Sequence, residues 1–205
     1  VIGDATGYTG VVREVFPDGD HVRIRLVRTN LQCQLQQWSD VDLQGTCFVQ
    51  AAVASGDGNI VLCGSCIAPG RSDQDALLAK VSPIGAVLWN WTSDDPGSEE
   101  ELYGLQRTDD GGYIAGGVWR GDADSDALLV RAGGDGTLQW TQHYGTASEE
   151  MLRGVSFDAD GFTAVGRITN FGGDLDTYIL RTDNNGTEQW WQSWGGIKND
   201  EFFGI

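Results

Sequence analysis

The chain has 205 residues, with 30 acidic against 13 basic side chains and a formal charge of −17. That length fits one domain or one run of small repeats. A field this negative repels phosphate and excludes nucleic acid as a partner, while 40% hydrophobic and 10% aromatic content excludes wholesale disorder.

Thirty glycines and eight tryptophans point to many short strands joined by tight turns. In chain order, Gly7-Tyr8-Thr9-Gly10 opens the first strand, Asp18-Gly-Asp20 leads into a second from His21 to Arg28, and Leu35-Gln-Gln-Trp38 lies on a third. Residues 40–91 form a second unit and residues 92–144 a third, which shows the pattern most fully. Its strand a runs from Glu101 to Arg107 and ends at the turn signal Asp109-Asp110-Gly111. Strand b follows from Gly112 to Trp119, strand c from Asp126 to Ala132, and strand d from Thr137 to Tyr144. Four consecutive apolar residues, Ala127 to Val130, suit an inner strand covered on both faces. Residues 145–195 repeat the unit, and residues 196–205 begin it again.

The repeat is explicit. Gly85-Ala-Val-Leu-Trp89, Gly136-Thr-Leu-Gln-Trp140 and Gly186-Thr-Glu-Gln-Trp190 place tryptophans 51 and 50 residues apart, and Trp38 lies another 51 upstream. A four-stranded unit at this period predicts an all-β fold, a β-propeller of about four antiparallel blades forming one domain over residues 1–205. The first blade (1–39) then holds strands b to d only. Residues 200–205 match residues 100–105 as a lone strand a, which either completes the first blade or starts a further repeat. No ~20-residue apolar run capable of spanning a bilayer occurs. No basic-apolar-small leader opens the chain either, so a start at Val1 reads as a mature or excised piece.

Asp110-Gly-Gly-Tyr113, an Asp-rich loop, Gly-x-x-x-Trp and Tyr144-Gly145 together resemble the bacterial and archaeal surface β-propeller repeats. The Gly-x-x-x-Trp portion is similar to the tryptophan-docking motif of quinoprotein propellers, in which the indole wedges between blades. The resemblance covers essentially the whole chain. The first unit departs from it, with Cys33 near the turn where the others have Gly or Asn. The adjacent-cysteine disulfide common near the quinone cofactor is missing. The resemblance implies an extracytoplasmic structural or binding module.

No nucleophile or metal-ligand pattern surrounds the two histidines, His21 and His143, and His143 falls where the next unit has Ser193, a surface position. An enzyme is therefore not expected. Most carboxylates fall on the b–c and d–a connections, which share one face of such a fold. Asp-x-Asp recurs before every strand c, at Asp18/Asp20, Asp73/Asp75, Asp124/Asp126 and Asp174/Asp176. These pairs are either a ring of oxygen ligands for calcium or loop pins in which the second Asp bonds backbone amides. Trp38, Trp89, Trp140 and Trp190 read as packing wedges, whereas Trp91, Trp191 and Trp194 are not shared by all units and could be platforms for sugars or proteins.

With Gly56-Asp57 at the centre of the second a–b hairpin, Cys47 falls opposite Cys66 and predicts a disulfide; Cys33 and Cys63 stay unassigned. Asn90-Trp-Thr92 and Asn185-Gly-Thr187 are glycosylation sequons. Bridge and sequons together predict an extracellular or cell-surface location. The expected role is structural, adhesive or self-assembling, with other copies, glycans or a basic protein surface as partners. A calcium-dependent carbohydrate-binding module is the alternative.

Overall fold

The structure, a computed structural model, describes residues 1–15, 22–121, 124–169 and 172–205. Among these there are sixteen strands, no helix, and four antiparallel four-stranded sheets. The first sheet is β1 (Ile2–Asp4), β2 (Gly7–Val15), β3 (Val22–Asn30) and β4 (Leu35–Val41). The second holds β5 (Thr46–Ala54), β6 (Ile60–Ile67), β7 (Asp75–Val81) and β8 (Val87–Thr92). The third is β9 (Glu99–Arg107), β10 (Tyr113–Arg120), β11 (Ser125–Ala132) and β12 (Leu138–Tyr144). The fourth is β13 (Glu150–Asp158), β14 (Gly161–Thr169), β15 (Leu175–Thr182) and β16 (Glu188–Trp194). In each, chain neighbours are hydrogen-bonded neighbours, so every sheet is a simple meander.

The sheets stack face to face in chain order. Ile24 and Leu26 of the first meet Leu62, Leu77 and Ala79 of the second. Ala76 and Leu78, on the opposite side of β7, meet Ala115, Leu128 and Val130 of the third. Ala127 and Leu129 then meet Leu152, Tyr178 and Leu180 of the fourth. Alternate residues of one strand thus serve different cores, because side chains alternate across a strand. This is why β7 and β11 read as unbroken apolar runs.

Strands β5, β9 and β13 each carry one extra residue, giving a bulge opposite the second strand of the sheet. The bulges bring these first strands together. A Cβ on Gly104 would stand 2.9 Å from the Arg153 carbonyl oxygen, and one on Gly154 2.8 Å from the Gly204 Cα. The 50-residue spacing of these glycines therefore reflects close approach of successive inner strands.

One expectation about the ends is corrected, and residues 200–205 take the second of their two expected places. The first sheet has its own first strand, β1, which is only three residues long and pairs with Gly7 to Thr9. Residues 200–205 do not complete that sheet; they lie beside the fourth. Asp200 N–H donates to the Leu175 carbonyl at 2.6 Å and Phe202 N–H to that of Gly166 at 3.2 Å, much as Glu100 N–H donates to Gln74 at 2.7 Å. Glu201 is tied to Arg153 at 2.9 Å and faces Arg167 at 3.6 Å. Those six residues hold the place that the first strand of a further unit would take.

Candidate functional site

The Asp-x-Asp pairs of the described residues do not gather into a ligand cluster. Among the described residues no group of three or more His, Cys, Asp or Glu side chains is placed to hold a metal; Asp18 and Asp20 lie outside them. Arg71 occupies the centre of the second unit's loop, paired with Asp73 and Asp94 and 3.8 Å from the buried Asp75. Asp126 and Asp176 instead lay their carboxylates against the backbone of Gly145 and Gly195, where a Cβ would collide with them. Asp126 and Asp176 thus pack on the connections that follow strand d in their units. Burial pushes the carboxyls of Asp75 and Asp126 up from the ordinary range. Asp124 and Asp174, the first members of these two pairs, join no such ligand group among the described residues.

The matched tryptophans divide into two kinds. Trp89 packs on Tyr113, ring centroids 6.0 Å apart, and against Gly136 of the third sheet. Trp140 packs on Phe162 at 5.7 Å and against Gly186 of the fourth. Both glycines take a positive φ, 87° and 78°, so each turn presents bare backbone to the indole of the preceding sheet. Trp38 is different. It is 61% exposed and lies under the Arg25 guanidinium at 4.8 Å, on the side of the first sheet away from the second.

The reason is register. Trp89 and Trp140 pair with Lys80 and Arg131, and the residue in that place on the first sheet is Gln37, opposite Arg28. Trp38 is one step further on, opposite Val27, and a one-residue offset moves a side chain to the other face. Trp190 is in register, opposite Arg181, yet remains 46% exposed.

Cys47 and Cys66 form a disulfide; Cys33 is exposed and Cys63 buried. Cys33, at φ 59°, supplies the left-handed turn residue that glycine supplies elsewhere. Asn90 and Asn185 are both exposed, on β8 and in the β15–β16 turn.

The position where aromatic, acidic and hydroxyl side chains come together lies between the second and third sheets, on the side of the b–c and d–a connections. A cleft of about 280 Å³ there is lined by Trp91, Ser93, Asp94 and Asp95 from one side, and by Glu100, Trp119, Leu128, Leu138, Thr141 and His143 from the other. His143, exposed as expected, stacks on Trp119 with centroids 5.1 Å apart. The Trp119 indole N–H donates to Asp95 at 3.3 Å. Glu100 is 1% exposed; its Oε2 accepts from the Ser93 hydroxyl at 2.6 Å, and its buried Oε1 has no partner among the described residues. Burial pushes the Glu100 carboxyl up and the His143 imidazole down. Of these residues, the sequence singles out Trp91 as a non-repeating aromatic and His143 as a surface position, and Trp119, equally unrepeated, is missed there. Alignment of the units by strand pairing brings Trp119 and Glu100 together with them.

The fold and this arrangement define an all-β repeat protein whose distinguishing features lie at sheet boundaries. No protein-family model and no curated protein matches the chain. No helix among the described residues is long and apolar enough to cross a membrane.

Proposed function

We propose that the chain is a non-enzymatic β-propeller module, extracellular or at the cell surface, with a structural and adhesive role exercised through self-association. One observation carries the reading. β1 covers only Gly7 to Thr9 of β2, so Gly10 to Val15 form an open sheet edge, while residues 200–205 hold an inner-strand position next to the fourth sheet. By the pairing of β9 with β10, that segment from one copy would continue β1 of the next, with Glu201 opposite Arg13 and Gly204 opposite Val11. An open edge is a template for strand addition.

The exposed faces favour the same pairing. Trp190 presents what Trp89 and Trp140 present internally. The first sheet offers Tyr8 and the left-handed turn at Cys33, which stand where Tyr113 and Gly136 receive Trp89. Such a head-to-tail contact gives rings if it closes and filaments if it does not. The disulfide and exposed sequons support the compartment. Calcium gains no support, because Arg71 already neutralises the best-formed acidic loop.

Light scattering after size exclusion, with electron microscopy of the same fractions, tests the proposal. The chain should run as multimers or filaments, and Phe202→Asp should leave monomers with an unchanged strand spectrum. A monomer at every concentration, or assembly indifferent to Phe202→Asp, would refute it.

A further inference from the structure

In a repeat protein an architectural need recurs with the architecture, so a side-chain set present at one boundary alone needs another explanation. The cleft between the second and third sheets is such a set. By strand pairing, Trp91 corresponds to Gln142 and Gln192, Ser93 to Tyr144 and Trp194, and Trp119 to Cys66 and Ile168. At the next boundary Tyr144 fills the space, buried and donating to the Gly186 carbonyl at 2.6 Å, and Glu150 is satisfied by Thr146 at 2.5 Å. At the second–third boundary Ser93 replaces that large ring, a cleft opens, and the buried Glu100 keeps a free oxygen.

The backbone departs here too. Asp94 stands where the later units have Gly145 and Gly195, and takes φ 48°, a conformation that non-glycine residues adopt at a cost. It is held there by Arg71. Strain retained beside a cleft is a mark of function.

We infer that this cleft is a binding site for one neutral pyranose ring of a glycan, with Trp91 as its stacking surface and the exposed Asp94, Asp95 and His143 as hydrogen-bonding partners. Its volume of about 280 Å³ is at the small end of ligand sites, which suits a single ring. A planar apolar surface flanked by several acceptors and hydroxyls matches a sugar, which has an apolar C–H face and a rim of hydroxyl donors. The exposed carboxylates of Asp94 and Asp95 exclude anionic sugars. Trp119 is already engaged by His143 on its ring and Asp95 at its N–H, so it shapes the wall. This site would provide the adhesive part of the proposed role, but it stands on a different observation from assembly.

The test uses Phe202→Asp as background, so that a failure of assembly cannot mask the result. Tryptophan fluorescence and saturation-transfer NMR are recorded with the methyl glycosides of glucose, galactose, mannose and N-acetylglucosamine, and in parallel with tetramethylammonium. At least one neutral glycoside should bind with a Kd of about 1 mM. Trp91→Ala and His143→Ala should each weaken it by about tenfold. Trp91→Phe should retain part of the affinity, which separates loss of stacking from loss of fold. Trp191→Ala should change nothing. Absence of any glycoside signal, binding of tetramethylammonium alone, or affinity that survives Trp91→Ala but falls with Trp191→Ala would overturn the inference.

Discussion

Replacing Trp89 and Trp38 separately by alanine distinguishes the observed strand register from simple 51-residue counting, which treats the two as equivalent. An indole buries on the order of 200 Å², which at ~25 cal/mol per Å² sets a ceiling of ~5 kcal/mol. Trp89 is half-buried, against Tyr113 at 6.0 Å and over Gly136, so Trp89→Ala should cost about 3 kcal/mol, the low end for aromatic-to-alanine changes in cores. Trp38 is 61% exposed and loses chiefly its contact with Arg25 at 4.8 Å, worth ~0.5–1 kcal/mol at an exposed site. In urea, with a slope near ~3 kcal/mol/M for a chain of this size, the midpoint should fall by about 1 M for Trp89→Ala and by about 0.3 M or less for Trp38→Ala. Trp140→Ala should behave like Trp89→Ala. Equal losses at residues 38 and 89 would show that Trp38 is a wedge after all and that the first sheet's register is wrong.

Three further outcomes follow from the chemistry of buried groups. The Cys47–Cys66 bridge closes a loop of sequence separation 19, so Cys47→Ala/Cys66→Ala should lower unfolding free energy by about 3 kcal/mol in equilibrium denaturation. Cys33 is exposed, whereas burial pushes the Cys63 thiol up to about 12; a thiol reagent should therefore titrate one cysteine in the native chain and two in denaturant without reductant. Burial raises the Glu100 carboxyl above its unfolded value, so folding binds a proton there. Stability from this group is fullest below the unfolded pKa and is lost as pH rises through the folded one. Glu100→Gln should thus raise the melting temperature near pH 8 and gain little near pH 4, and the reverse order would refute desolvation as the cause of the upward shift.

Much of the fold was legible in the sequence, because turn chemistry and apolar runs mark the same points in every unit. The third unit's strands fall within two residues of the turn-based expectation at each end. The disulfide shows how a correct pairing can rest on an incomplete reason. Near the turn Ala54 faces Ile60, one residue away from the register implied by a Gly56-Asp57 centre, and only the extra residue at the Val49/Ala51 bulge brings Cys47 opposite Cys66. Bulges have no strong signature in one sequence, whereas Trp38 falls among the wedges for a different reason. The bulge after strand c is common to all four sheets, and Trp38 lies one residue further along its strand than the other indoles. Counting four residues on from the turn would have found Gln37, since Cys33 holds the left-handed position of Gly85, Gly136 and Gly186. The short β1 was missed for another reason: three residues are too few to show alternation.

The acidic loops and the cleft lead to one argument about where function hides in a periodic chain. Asp-x-Asp recurs in every unit, and the structure gives its second member a recurrent architectural task at Asp126 and Asp176, packing against the connection after strand d. Where the period breaks, the interactions change as well. Arg71 gathers Asp73 and Asp94, Ser93 stands in for a buried ring, and a carboxyl oxygen of Glu100 is left without a partner at 1% exposure. A buried acceptor without a donor costs about 1–3 kcal/mol. That cost is borne at the one boundary carrying Trp91, Trp119 and His143, whereas the equivalent Glu150 accepts bonds from Thr146. Restoring the period by Ser93→Tyr with Asp94→Gly and Asp95→Thr, the last supplying the hydroxyl that Thr146 gives Glu150, should therefore stabilise the fold while closing the cleft, and a destabilised triple variant would show that the departure serves packing rather than a ligand.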